Sequence, residues 1–285
     1  DGVVESIEEQ SGLYPMVSGF SHPMVTIIDS WGDSRLSASF ESLLMSLDHP
    51  NTKYLIKKNS NEITNKKTGA VLPANKKIVG IRSGTLVGDG QSYGQNQRQA
   101  YSGIDRNYLN DAPLYLVKFA EVDFLRAEGA LRGWNMGGSA QFFYERGIRN
   151  AYLEEPWYVY EYNDLVDAYM QREQPVAYVQ SDPMGDGADW PSVTKIGVKW
   201  NEADSKETKL EKIITQKYIA LFPLSTEAWT ELRRTGYPKC FPVLNTNDGD
   251  GSIPQGELIR RVPWQSTDPN ALKNIKNNSN PSPVS

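Results

Sequence analysis

The sequence predicts a mainly α protein, built of helical hairpins beside an irregular, loop-rich layer with short β-hairpins. Three observations carry this reading. Residues 114–152 contain two stretches of helical periodicity joined by a glycine-rich turn. Residues 206–236 repeat that build, punctuated by proline and glycine. Residues 51–110 and 153–205 are irregular, with short apolar runs broken by Asn, Lys, Gly and Pro.

Composition fits such a fold. At 285 residues, 39% hydrophobic and 23% charged, the chain can bury a core as one large domain or two. A formal net charge of −5 argues against a nucleic-acid partner, which favours a basic surface. The lysine pairs Lys57-Lys58, Lys66-Lys67 and Lys76-Lys77 stand among Asn, Thr and Gly and read as solvated loops or hairpin tips. No apolar run approaches the roughly 20 residues that span a bilayer, and the residues from Asp1 do not read as a signal peptide.

Taken in order, Gly2 to His22 is mixed and irregular. Met24, Ile27, Ile28 and Trp31 suggest a helix or buried turn leading into Gly32-Asp33. Phe40, Leu43, Leu44 and Leu47 follow the i, i+3, i+4, i+7 rule, and that helix should stop before His49-Pro50. Tyr54-Leu55-Ile56, Ala70-Val71-Leu72 and Ile78-Val79-Gly80-Ile81 read as hairpin strands, followed by a long loop from Gly84 to Gly103. The loop's Gly88, Gly90 and Gly94 do not make a dinucleotide fingerprint: the third glycine is misplaced, no strand–helix context surrounds it, and no Walker-type lysine follows.

In the first helical pair, Val117, Ala120, Phe124, Ala127 and Leu131 form one stripe, and Ala140, Phe143, Tyr144, Gly147, Ile148 and Ala151 form the other. Gly133, Gly137 and Gly138 reverse the chain, and Ala127, Ala130, Ala140 and Gly147 allow close helix approach. That is the build of a tetratricopeptide-type hairpin, a unit used for stacking and binding. Glu121, Asp123 and Glu128 on the first helix read as a solvated face.

Between the helical blocks lies an aromatic-rich segment, Tyr152 to Trp200. Aromatic faces suit the C–H face of a pyranose while ring hydroxyls take hydrogen bonds. Tyr162, Leu165, Val166 and Tyr169 have helical spacing and belong to the core, which leaves the loop-placed Trp157, Tyr158 and Trp190 as candidate ligand contacts. In the second block, Leu210, Ile213, Ile214, Lys217, Tyr218 and Leu221 make a helix that Pro223 ends. Ser225 then caps a helix carrying Ala228, Trp229 and Leu232, with Arg233 and Arg234 in its last turn and Gly236 as its C-cap.

Other chemistry is weakly signalled. Thr246 to Glu257 matches a calcium loop in spacing, with Asp248, Asp250 and Glu257 as ligands, but Thr stands first and Pro254 blocks an exiting helix. A plain Asn/Asp/Gly turn reads as well, so no cofactor is expected and calcium is the alternative. Cys240 excludes an internal disulfide and sits in an apolar, proline-punctuated stretch as a packed thiol; only His22 and His49 could serve it as a base. Two histidines make a zinc site or a catalytic triad improbable, so the chain does not read as an enzyme.

The wording of five segments, AEVDFLRAEGALRGW, YERGIRNAY, IITQKYIALFP, EAWTELRRTGYP and IRRVPW, resembles the C-terminal half of the SusD/RagB family, over about Met24 to Trp264. The resemblance implies a nutrient-binding lipoprotein on the outer membrane of Bacteroidetes-type bacteria. It would capture an oligosaccharide, or a peptide, and deliver it to a SusC-like TonB-dependent transporter. A generic tetratricopeptide-type interaction module and a glycoside hydrolase are the alternatives. Family members carry a lipidated cysteine and further helices ahead of the matched region. The expectation is therefore that residues 1–285 are the C-terminal portion of a single domain, facing outward and lipid-anchored through a missing N-terminal segment, with orphaned apolar side chains at the start. The family's ligand platform precedes its last helical repeat, which here points before Leu114 to Tyr14, Trp31 and Tyr93. After Arg260-Arg261-Val262-Pro263 the family shows an acidic residue and then Asn, where this chain runs Trp264 to Asn270 before a polar tail.

Overall fold

The computed structural model describes residues 3–14, 21–30, 34–85, 100–154, 162–246, 253–259, 269–270 and 273–274. Their regular elements, in chain order, are strand β1 (Ser11–Leu13), a helical turn α1 (Pro23–Val25) continued by a π-turn (Thr26–Ser30), helices α2 (Ala38–Leu47) and α3 (Thr52–Leu55), and strands β2 (Ile63–Thr64) and β3 (Val71–Leu72). Then come α4 (Arg106–Asp111), β4 (Leu114–Val117), α5 (Phe119–Leu131), α6 (Ala140–Leu153) and α7 (Tyr162–Met170). Strands β5 (Val179–Gln180) and β6 (Trp190–Pro191) precede α8 (Lys206–Ala220) and α9 (Ser225–Thr235). The expected mainly α architecture is present.

Helices α5 and α6 pack along each other, α8 lies across both, and α9 folds back on α8. Sequence explains the closeness of the first pair. A Cβ placed on Gly147 would stand 3.0 Å from two ring carbons of Phe124, so glycine lets the helices meet through that ring. Ala120, Phe124, Ala127, Phe143, Tyr144 and Ile148 bury the contact, as their spacing predicts. Ser139 starts α6, its Oγ accepting from the Phe142 N–H at 3.1 Å. Val117 departs from the expected stripe: it belongs to β4, pairs with Ser11 and is exposed. The helix begins one residue after Lys118, whose buried ammonium is tied to the Ala220 carbonyl at 2.6 Å. The strand pairing of Ser11–Leu13 also replaces the irregular start expected there.

The acidic residues of α5 correct the sequence reading. Asp123 is fully buried against Arg146 and Asn150, and Glu128 is 6% exposed, held by Arg132 at 2.6 Å and Arg234 at 2.7 Å. Lys217 of α8 is buried among Glu231 at 3.0 Å, Glu121 at 3.4 Å and Glu227 at 3.6 Å. The α5 carboxylates bolt that helix to α6, α8 and α9 instead of facing water, because each meets a cation from a neighbouring helix. Burial pushes Glu121 up, with Lys217 opposing. Glu128 feels the same burial, yet the two guanidiniums outweigh it and hold the carboxyl below its usual range.

The second block follows expectation except at its cap. Ser205 caps α8 through the Thr208 N–H at 3.0 Å. The turn passes through the cis Phe222-Pro223 bond, and the cap position of α9 is Leu224; Ser225 is already the first helical residue, with no side-chain cap. Gly236 ends α9 at φ 73°, the left-handed conformation that glycine supplies without strain. In α7, Val166 and Tyr169 are buried as expected, whereas Leu165 is half exposed.

The irregular layer contains three two-stranded ladders, β1–β4, β2–β3 and β5–β6, all antiparallel. Of the three expected strands, Val71-Leu72 alone forms one, paired with Ile63-Thr64. Tyr54 and Leu55 instead complete the helical turn α3: the Asn51 carbonyl accepts from both of their N–H groups, and the chain has already turned at Asp48 (φ 50°). Ile56 then makes a lone bridge to Ile104, and Ile81 one to Ser37. A small separate core, Ile63, Val79, Ala100, Tyr101 and Met184, holds this layer together. Lys66, at the β2–β3 turn, is exposed and paired with Asp186, as a hairpin tip should be.

Candidate functional site

The last helix and the segment after it enclose a groove of about 490 Å³ lined by Trp229, Arg233, Lys239, Phe241, Pro242 and Leu258. Trp229 is 39% exposed, and the Arg233 guanidinium lies 3.9 Å from its ring centroid. The pair arises from helix geometry: residues four apart share a face, and here that face points away from α8. A ring backed by a cation and open on its other side is a surface on which a sugar ring can stack. Cys240 sits half-buried in the groove wall, 3.6 Å from the Pro238 carbonyl, and burial pushes its thiol up, away from the thiolate that a nucleophile needs. His49 is stacked on Tyr152 and edge-on to Tyr169, so it is engaged elsewhere.

Phe241 links the groove to β6. Its ring packs edge-on against Trp190 at 6.4 Å, and the Arg82 guanidinium lies over both rings at 4.9 Å. Arg82 also donates to the Pro242 carbonyl at 2.9 Å. Trp190, a sequence-predicted contact, thus stands on a buried cation and is itself partly exposed.

A second cavity, of about 240 Å³, lies under the π-turn and is lined mainly by apolar side chains, including Met24, Ile28, Phe40, Tyr218, Phe222 and Ala228. Phe40 stacks on Phe222 at 5.4 Å and meets Tyr218 edge-on at 5.9 Å. Burial pushes the Tyr218 phenol up to about 12. With so few polar groups converging, this cavity suits an apolar group better than a sugar.

Of the other candidate contacts, Tyr14 is 38% exposed at the end of β1 and meets Tyr115 edge-on at 6.4 Å. Its ring contact is with the β1–β4 ladder, while those of Trp190 are with Phe241 and Arg82, so the two do not converge on one partner. Trp31, Tyr93, Trp157 and Tyr158 lie outside the described residues, as do Asp248 and Asp250 of the possible calcium loop. Glu257 is described and lines the groove. Among the described residues no cluster of three His, Cys, Asp or Glu is placed to hold a metal, and no helix is long and apolar enough to cross a membrane.

Sequence reasoning missed Trp229, Phe241 and Arg82. Trp229 was assigned to the apolar face of its helix; the signal against that was Arg233 four residues on, which marks an outer face. Phe241 and Arg82 carried no signal, since only the fold brings residues so distant in sequence together.

Helical hairpins carrying a loop layer with open, aromatic-lined recesses define a binding scaffold. Comparison with known proteins identifies it: the model of the SusD-like family, described as Susd and RagB outer membrane lipoprotein, matches residues 1–281, and the chain belongs to that family. No curated protein matches the chain. A chitin-binding SusD homologue from Flavobacterium johnsoniae is 34% identical, with a TM-score of 0.69 over 86% of this chain and 46% of that one. A SusD homologue from Bacteroides vulgatus is 30% identical, with a TM-score of 0.74 over 96% of this chain and 52% of that one. One from Bacteroides thetaiotaomicron is 29% identical, with a TM-score of 0.72 over 92% and 50%. The chain spans about half the length of these solved homologues.

Proposed function

We propose that the protein binds a glycan nutrient at the cell surface and delivers it to a SusC-like TonB-dependent transporter of the outer membrane. The observation that carries this is the likeness, in sequence and fold, to a chitin-binding homologue. In this reading residues 1–285 act as the C-terminal portion of a single domain, tethered outward by a lipid anchor. Trp229, backed by Arg233, offers a stacking surface; Trp190, Tyr14, Trp31, Tyr93, Trp157 and Tyr158 are the further proposed contacts. The protein acts by holding and handing over, without cleaving its ligand.

Titration calorimetry of the full-length protein against chitooligosaccharides and other defined glycans tests binding. Trp229→Ala should weaken the affinity roughly fivefold, the loss of about 1 kcal/mol of ring stacking, and the unfolding midpoint, followed alongside, separates that loss from the effect of removing a side chain that is only 39% exposed. Delivery is tested by purification from native outer membranes, where a stoichiometric TonB-dependent barrel should accompany the protein. A soluble partner without glycan binding would replace the proposal with an interaction module, and glycan cleavage would replace it with a hydrolase.

A further inference from the structure

Behind the groove lies a buried charge that no carboxylate among the described residues neutralises. Arg82 is 5% exposed and its guanidinium lies over the rings of Trp190 and Phe241, which pack against each other. Its Nη2 donates to the Pro242 carbonyl at 2.9 Å, but Nε and Nη1 are buried with no hydrogen-bond partner. No carboxylate pairs with it among the described residues, and burial alone pushes its pKa down. One residue away across the β5–β6 ladder, Gln180 pairs in register with Trp190, is fully buried, and has an Oε1 that likewise lacks a partner. Side chains of a cross-strand pair project from the same face, so an orphaned acceptor and an orphaned donor set flank one tryptophan.

Nε and Nη1 of Arg82 and Oε1 of Gln180 have lost water without gaining a hydrogen bond, a situation that folded proteins keep rare and that points to a missing partner. The guanidinium geometry says which. Nη2 carries two hydrogens and Pro242 takes one; whichever it takes, one complete edge of the fork, Nη2 with Nε or Nη2 with Nη1, keeps two parallel N–H groups. A parallel pair of that kind matches a planar carboxylate. The two rings limit where the guanidinium can move, and the Gln180 oxygen, opposite Trp190 in the ladder, is an acceptor without a donor. Among the sugars of a glycan, a uronic acid presents a carboxylate beside hydroxyls.

We propose that Arg82, with Trp190, Phe241 and Gln180, forms the receptor for the carboxylate of an acidic sugar, so that the captured glycan contains uronic acid. This rests on the glycan-binding reading above. Because Nε and Nη1 are buried, a carboxylate reaches them only if Trp190, the partly exposed wall, moves; the sugar ring then stacks on that indole.

The test compares trigalacturonate with its methyl ester, in which the carboxylate charge and its two equivalent acceptor oxygens are masked, by calorimetry on wild type, Arg82→Met and Arg82→Lys in the full-length protein. In parallel, thermal unfolding is followed with free galacturonate or galactose at fixed ionic strength. Wild type should bind the acid at least tenfold more tightly than the ester. R82M should bind the two alike, and R82K, with a charge but no fork, should recover only part of the preference. Galacturonate should raise the unfolding midpoint of wild type more than galactose does, and should not do so for R82M. R82M removes an unneutralised charge and should fold; if it does not, R82K and the acid-to-ester ratio of wild type decide. Equal binding of acid and ester, or a preference that survives R82M, overturns the inference while leaving glycan binding standing. Stabilisation by galacturonate in a protein that binds neither oligosaccharide keeps the anion site and overturns the polysaccharide reading instead.

Discussion

Acidification should destabilise this protein through one histidine. His49 ends the turn after α2, where its imidazole stacks on Tyr152 at 5.3 Å, meets Tyr169 edge-on at 5.2 Å and has Nε2 3.1 Å from the Tyr152 hydroxyl. Burial pushes its pKa from 6.5 down to about 3. The folded state therefore keeps the ring neutral where the unfolded chain protonates it. Stability from this group is complete above pH 6.5 and is lost as the pH falls from there toward 3. Between about pH 7.5 and about pH 5 the unfolded chain gains roughly 1.5 log units of proton binding that the folded one lacks, about 2 kcal/mol. Urea unfolding at several pH values reads this directly, with His49→Phe as comparison because phenylalanine keeps the stacking and cannot titrate. Buried Glu41, Glu121 and Glu154, all shifted upward by burial, act in the opposite sense, and His22 in the same sense; both contributions are common to the two proteins and cancel in the difference. Wild type should lose about 2 kcal/mol more than H49F over that interval. Parallel stability curves would show that the imidazole is hydrated in the folded protein and refute the argument.

Two further substitutions probe the helical block. Lys217→Met leaves Glu121, Glu227 and Glu231 clustered without their shared cation and should cost about 3–5 kcal/mol at neutral pH by denaturant unfolding; part should return on mild acidification as Glu121 protonates, and a loss below about 1 kcal/mol would mean that water reaches the site. Gly147→Ala drives a methyl group to 3.0 Å from the Phe124 ring and should cost about 1–3 kcal/mol; adding Phe124→Leu should make the alanine nearly neutral, and additive losses would show that the helices do not meet there.

How far the sequence could be read depended on whether an element's reason lay within it. Helix α2 was legible because Ser37, the apolar spacing and the stop at Asp48 all lie within about a dozen residues. The α5–α6 hairpin was legible for the same reason, since its small residues and its glycine turn are local. The charged face of α5 was not: Asp123 and Glu128 look like solvated residues until Arg146 and Arg234 arrive from other helices. The strands expected at Tyr54 and Ile78 failed because apolar runs of three or four residues fix neither periodicity, and the carbonyl of Asn51 and the small core around Tyr101 decided them instead. The candidate site was the least legible. Trp190 was named for its loop position, but the cation beneath it comes from a hundred residues earlier, a proximity that no local pattern encodes.

The treatment of charge separates scaffold from site. Within the helical block the cations named above are answered from the chain: buried Lys118 lies 3.4 Å from Glu154 and buried Lys217 holds Glu231, while the partly exposed Arg146 and Arg234 hold buried Asp123, Glu128 and Glu231. Such pairs recover much of their desolvation cost internally and fix helix register, so they are complete without a ligand. Arg82 is more deeply buried than either of those arginines, yet its neighbours are two rings and one carbonyl. If its role were structural, an apolar residue of similar volume would cover the rings of Trp190 and Phe241 at lower cost, because it would carry no charge to desolvate. Arg82→Met should accordingly leave the ligand-free protein at least as stable as wild type, whereas Arg234→Met should destabilise it. The opposite ordering would place Arg82 among the structural cations and remove the reason for assigning it a ligand.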